Sequence, residues 1–161
     1  MTVRRETLDL LASWNYQKTI FDVITLTVAY LLALPIGWNR EREDRSAGIR
    51  TFPLVSMAVC GFVIVAVRVL GAGDASQSNV MAGLITGVGF IGGGAILQMG
   101  DKAKGTATAA CIWATGALGA SIGYGLYDIA VALSVLIYFS LRVAAPLKKV
   151  ANNGAEDNTV D

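Results

Sequence analysis

The chain has 161 residues, 54% of them hydrophobic and 16% charged, with a mean hydropathy of +0.56, which is too apolar for an ordinary water-soluble domain of this length. A formal net charge of +1 offers no broad basic surface and argues against a nucleic-acid partner. Histidine is absent, and with it histidine-based triads, general bases and metal sites.

Residues 1–18 alternate charged and apolar groups. Arg5, Asp9, Ser13 and Gln17 share one helical face, while Leu8, Leu10, Leu11 and Trp14 gather on another. This pattern predicts an amphipathic helix lying in the membrane interface, with Trp14 and Tyr16 at headgroup level. It is not a signal peptide, because the apolar run from Leu10 to Trp14 is too short and no small-residue cleavage site follows.

Five uncharged or nearly uncharged runs follow, each near the ~20 residues a bilayer core requires. They run from Thr19 to Trp38, Thr51 to Leu70, Asn79 to Met99, Thr106 to Tyr124 and Leu126 to Ala145, with Pro146 expected to help stop the last. The fold class is therefore all-α: a polytopic membrane helix bundle occupying residues 19–147. A polar tail, residues 148–161, is expected to be disordered. Cys60 and Cys111 fall inside apolar runs, where thiols serve as small hydrophobes.

Lysine and arginine placement sets the orientation. Arg40, Arg42, Arg45 and Arg50 in the first loop, Lys102 and Lys104 after the third span, and Arg142, Lys148 and Lys149 near the end all fall on one side of a five-span bundle. The positive-inside rule makes that side cytoplasmic and leaves the N-terminus external.

The stretch Gly83 to Trp113 organises the chain. Gly83, Gly87, Gly89, Gly92, Gly93 and Gly94 would each weaken a helix in water, by about 1 kcal/mol relative to alanine. In lipid the backbone must satisfy its own hydrogen bonds, which forces helix, and glycine then lets a neighbouring helix approach closely. These residues, with Gly105, Thr106, Thr108 and Trp113, are read as a packing seam or a pathway. Gly87 to Gly92 also match GxGxxG, but no strand precedes them and no acidic residue follows at the expected distance, so a dinucleotide site is not supported. Unwinding at Gly92 to Gly94 would instead expose carbonyls to a site at bilayer depth, as in transporters.

The loop from Asn39 to Arg45 carries the densest charge. Glu41 and Arg45 at i, i+4 spacing would extend the first span as a helix. Alternatively Arg40, Glu41, Arg42 and Arg45 form a docking surface for carboxylates or phosphates, with Arg50 and Thr51 capping the second span. Asp22, Asp74 and Asp128 fall on the external side, where together they would form a weakly cation-attracting mouth. No nucleophile–base pair or paired acid lies at depth, so neither catalysis nor a bound cofactor or metal is expected.

Gly48-Ile49-Arg50-Thr51 with Leu54-Val55, then Gly87-Val88-Gly89-Phe90-Ile91-Gly92-Gly93-Gly94-Ala95-Ile96-Leu97, then Gly105-Thr106-Ala107-Thr108-Ala109-Ala110 leading into Trp113, resemble the signature of the MgtC/SapB membrane-protein family. The likeness spans roughly residues 20 to 125. It implies a bacterial inner-membrane protein with a periplasmic N-terminus, associated with magnesium limitation, stress and virulence. Such proteins are thought to regulate other membrane machinery, including ATP synthase, rather than to carry magnesium. This chain has Asn39 where the family usually has glutamate, and Asn79 where an arginine is common. The soluble C-terminal domain of longer members is not expected here. A regulator, embedded in the bilayer as a homodimer or other homo-oligomer, is one reading; a small transporter or channel using Thr86, Thr106 and Thr108 is the other.

Overall fold

The computed structural model describes residues 15–43, 47–99 and 102–157. The interfacial helix expected over residues 1–18 lies largely outside them. Asn15 instead caps helix α1 (Tyr16–Arg42), its side chain accepting from the Gln17 and Lys18 amides at 3.1 and 3.3 Å. Tyr16 to Lys18 are thus the first turn of α1 rather than the end of a separate helix.

Helix α2 (Thr51–Leu70) returns antiparallel to α1. Helix α3 (Gln77–Gly94) is followed by a hairpin of β1 (Leu97–Met99) and β2 (Lys102–Lys104), paired with Leu97 opposite Lys104. Helix α4 (Thr106–Gly123) and helix α5 (Tyr127–Asp157) complete the bundle. The α1–α2 connection and the hairpin share one end, here the hairpin end. The α2–α3 and α4–α5 connections share the other. By length and composition, α1 and α2 are apolar enough to cross a membrane, and the whole is a polytopic membrane helix bundle.

Helix α4 is central, packing against α1, α2, α3 and α5. Its sequence explains why: small residues all round it let neighbours close in from several sides. Phe52, Ile36, Ile112, Leu118 and Ile122 fill the space between the helices. Hydroxyls in the helices return to carbonyls of their own preceding turn, as Thr25 does to Phe21, Thr86 to Ala82, Thr115 to Cys111 and Ser121 to Ala117, at 2.7 to 2.9 Å. Others cross between helices: Ser56 on α2 donates to the Ala29 carbonyl of α1 at 2.8 Å, and Ser134 on α5 to that of Leu32 at 2.7 Å. Such pairing is what a medium without water demands.

Two expected boundaries move. The third span ends at Gly94, not Met99, because the glycine run offers little helical preference and the chain turns into the hairpin. The last helix passes through Pro146 and continues to Asp157, so residues 148–157 are helical where disorder was expected. Proline removes one hydrogen bond, but the alanines before it and the leucine and lysines after it are strong helix formers.

Candidate functional site

The densest polar cluster is at the hairpin end. Helix α1 continues past Trp38, and this extra turn carries Asn39 and Arg40 inward. Arg40 is only 4% exposed, and its Nη2 donates to Thr108 Oγ1 on the first turn of α4 at 2.6 Å. Its Nη1 lies 3.6 Å from Glu43 Oε2. Arg40 Nε and Asn39 Oδ1 are buried and have no hydrogen-bond partner among the described residues. Arg40 is therefore not offered to a partner, as the docking reading expects; it ties the end of α1 to the start of α4. A charge this deep is retained only when paired and hydrogen-bonded.

Glu41 is also engaged. Its Oε2 accepts the Ile49 amide at 3.0 Å, just ahead of α2. Gly48 makes this approach possible, since a Cβ there would sit 2.9 Å from Glu41 Cδ and closer still to Oε2. The carboxylate, rather than Arg50 and Thr51, ties down the chain entering α2; no side-chain cap comes from Arg50. Arg42 and Arg50 are exposed, and Arg45 lies outside the described residues.

At the opposite end, the three acids expected to form a mouth have different surroundings. Asp22 pairs with Arg68 across α1 and α2. Asp74 accepts the Ser76 amide at 2.7 Å, and that backbone contact, with a further one from the Ser76 side chain, holds its carboxyl below the usual value. Asp128 is exposed in the first turn of α5.

The glycines divide sharply. A Cβ on Gly92 would meet the Ala109 carbonyl oxygen at 3.0 Å, and Gly89 faces the edge of Trp113 at 3.9 Å. Gly83, Gly87, Gly93 and Gly94, expected in the seam, have nothing within 4 Å of that position in a single chain. Helix α3 lies at the periphery, with only Val88 and Gly92 of its residues buried, so most of its small-residue face meets no neighbour. The seam instead runs along α4. There Gly116 meets Val88, Gly119 meets the Ser56 backbone, and Gly123 meets Val63 and the Cys60 carbonyl. Their spacing of three and four residues was the available signal. Gly105 also packs, at φ 92, in the turn between hairpin and α4.

The hydroxyls proposed for a pathway are dispersed: Thr86 bonds within α3, Thr108 accepts from Arg40, and Thr106 is exposed. Two large cavities are lined almost wholly by apolar side chains. One lies between α3 and α4 around Met81, Trp113 and Tyr124; the other is a groove between α2 and α3. Cys60 and Cys111 are buried free thiols. Among the described residues no group of three or more acids or cysteines is placed to hold a metal.

Residues 26–150 match the MgtC family model. The chain belongs to the MgtC family. It is 38% identical to the protein SrpB of Synechococcus elongatus, over 78% of this chain and 74% of that one. It is 36% identical to the protein MgtC of Brucella abortus, over 78% of this chain and 52% of the relative. It is also 36% identical to the putative magnesium transporter YhiD of Escherichia coli K12, over 75% and 59%. The matched region thus spans little more than half of the Brucella and Escherichia proteins. No solved structure matches. The family match covers Arg40, Glu41 and Thr108 as well as the α4 glycines, so the hairpin-end cluster lies wholly within the MgtC-family region.

Proposed function

We propose that the protein is a non-enzymatic regulator of other membrane machinery in a bacterial inner membrane. Its field is ion or magnesium homeostasis and stress or virulence adaptation. Its partner is another membrane complex, for which ATP synthase is the candidate the family resemblance suggests. In this reading the hairpin end faces the cytoplasm, as the arginine and lysine distribution favours.

The observation that carries the reading is the apolar lining of the large cavities, with the buried Arg40 guanidinium at the hairpin end. A permeating ion needs carbonyls or hydroxyls to replace its water. Here the Thr86, Thr115 and Ser121 hydroxyls each donate to a carbonyl of their own helix, and Thr108 Oγ1 accepts from Arg40, whose fixed positive charge opposes a cation at that position. The large cavities are apolar. What remains available at the hairpin end is a fixed surface, stiffened by the Arg40–Thr108 and Glu41–Ile49 contacts, from which Arg42 and Lys104 project. Such a surface suits carboxylate recognition on a neighbouring protein.

The competing reading is a transporter, the description carried by the Escherichia coli relative, with the helix break after Gly94 as its structural basis. Purification of the tagged chain from its native membrane, with mass analysis of what accompanies it, separates the two. Co-purification of a membrane complex, reduced by Arg42→Glu with Lys104→Glu, supports regulation. Magnesium flux into proteoliposomes containing only this chain, abolished by Gly92→Leu, would overturn it.

A further inference from the structure

Helix α3 is held unevenly along its length. Of its eighteen residues only Val88 and Gly92 are buried, against nine of eighteen in α4. Both lie in the half nearer the hairpin. A Cβ on Gly92 would come within 3.0 Å of the Ala109 carbonyl oxygen of α4, and Val88 occupies the space that a Cβ on Gly116 would need. Toward its far end α3 is flanked by apolar space on two sides, the cavity shared with α4 and the open groove shared with α2. Met81 and Leu84 are only partly buried there, and Gly83 and Gly87 on the groove side meet no neighbour. Few buried contacts along a segment mark it as able to move apart from the rest of the fold.

A polar contact secures the far end. Tyr124, just past the end of α4, donates its hydroxyl to Gln77 Oε1 at 3.0 Å, and Gln77 Nε2 donates to the Gly71 carbonyl at 2.9 Å. Gln77 is the first residue of α3, about 22 Å along the helix from Gly92 at 1.5 Å per residue. We propose that α3 is a lever with two positions, pivoting where Val88 and Gly92 press on α4 and latched at its far end by the Tyr124–Gln77 hydrogen bond. With the latch made, the far half stands beside α4. With it broken, that half swings toward α2, narrowing the groove and widening the cavity around Trp113 and Tyr124. A tilt of roughly 10° moves Gln77 by roughly 4 Å over this length. The groove is open, so no packed side chain has to be expelled. Residues 71–76, which connect α2 to α3, are exposed throughout and include Gly71 at φ 91 and Gly73 with nothing within 4 Å, so they absorb the change as a hinge does. The movement belongs to the bundle itself and does not depend on the partner proposed above.

The test is the rate of oxidative cross-linking between paired cysteines in the full chain, in its membrane, with the joined peptides identified by mass spectrometry. Val69→Cys with Val80→Cys spans the groove near the far end, and Ala58→Cys with Ile91→Cys spans it near the pivot. Tyr124→Phe keeps the ring and removes the latch. It should speed cross-linking of the far pair by roughly two- to tenfold, the scale of one neutral hydrogen bond, and leave the pivot pair unchanged within about twofold. Gln77→Leu, which removes the acceptor instead, should do the same. Unchanged rates at both pairs would overturn the proposal. So would an equal rise at both, which is general loosening, or far-pair cross-links that join two chains, which would give the groove to a second copy. If Tyr124→Phe fails to fold, Gln77→Leu decides.

Discussion

Replacing Gly119 by alanine probes the packing on which the bundle depends. A Cβ at this position on α4 would lie 2.9 Å from both the Cα and the carbonyl carbon of Ser56 on α2, and closer to its oxygen. Ordinary contact begins near 3.4 Å, so at least half an ångström must open between the two helices. Ser56 cannot yield alone, because its hydroxyl is bonded to the Ala29 carbonyl of α1. One turn on, Gly123 is already pressed against Val63 and the Cys60 carbonyl, so α4 cannot pivot toward α2 there either. Overpacking of this kind costs about 1–3 kcal/mol. The clash is with backbone and falls at the upper end of that range, and the helical preference of alanine returns up to about 1 kcal/mol, leaving a net loss of roughly 2 kcal/mol and a fall of several degrees in Tm, by the ~2–4 °C per kcal/mol expected at this size. Gly87→Ala is the control: with nothing within 4 Å, it should lose no stability and gain up to about 1 kcal/mol from alanine's helical preference. Thermal unfolding of the three proteins in one detergent reads the difference. Equal melting of Gly119→Ala and the wild type, or equal loss in both variants, would refute the assignment of the seam to α4.

Other substitutions test the remaining contacts. Thr108→Val removes the acceptor for a buried guanidinium and should cost about 1.5–3 kcal/mol in thermal stability, while Thr108→Ser keeps the hydroxyl and most of that stability. Gly105→Ala places a Cβ at φ 92 and 3.1 Å from the Ala95 carbonyl carbon; the strain should cost at least about 1–3 kcal/mol and disturb the hairpin, read as faster proteolysis at Lys102 or Lys104. Arg68→Gln should lower stability by less than about 1 kcal/mol, with the difference shrinking in high salt, because the ion pair with Asp22 is partly exposed. The Asp74 carboxyl is held below its ordinary value of 3.8, so its contribution is complete above that pH and lost only as pH falls through the lower folded value. From about pH 5 to 8 the Tm difference between wild type and Asp74→Asn should stay constant.

The helical membrane class was legible in the sequence because it depends on local quantities: uncharged run length, small-residue content and the clustering of arginine and lysine near run ends. The second helix runs from Thr51 to Leu70, as its apolar run suggests, and α4 begins at Thr106 as expected. The family was legible as well, from the glycine and threonine motifs that the match to residues 26–150 contains.

Tertiary structure decided which of those motifs touch anything. Gly87 and Gly119 read alike as small residues in apolar runs, yet one faces open space and the other the backbone of α2, because α4 sits at the centre and α3 at the rim. Arg40 and Arg42 are two residues apart in one charged run, but a helix turns about 200° over that interval. One guanidinium therefore enters the bundle to meet Thr108, 68 positions away, and the other stays in solvent. Periodicity names the faces of a helix, but only the arrangement of its neighbours determines which face is covered.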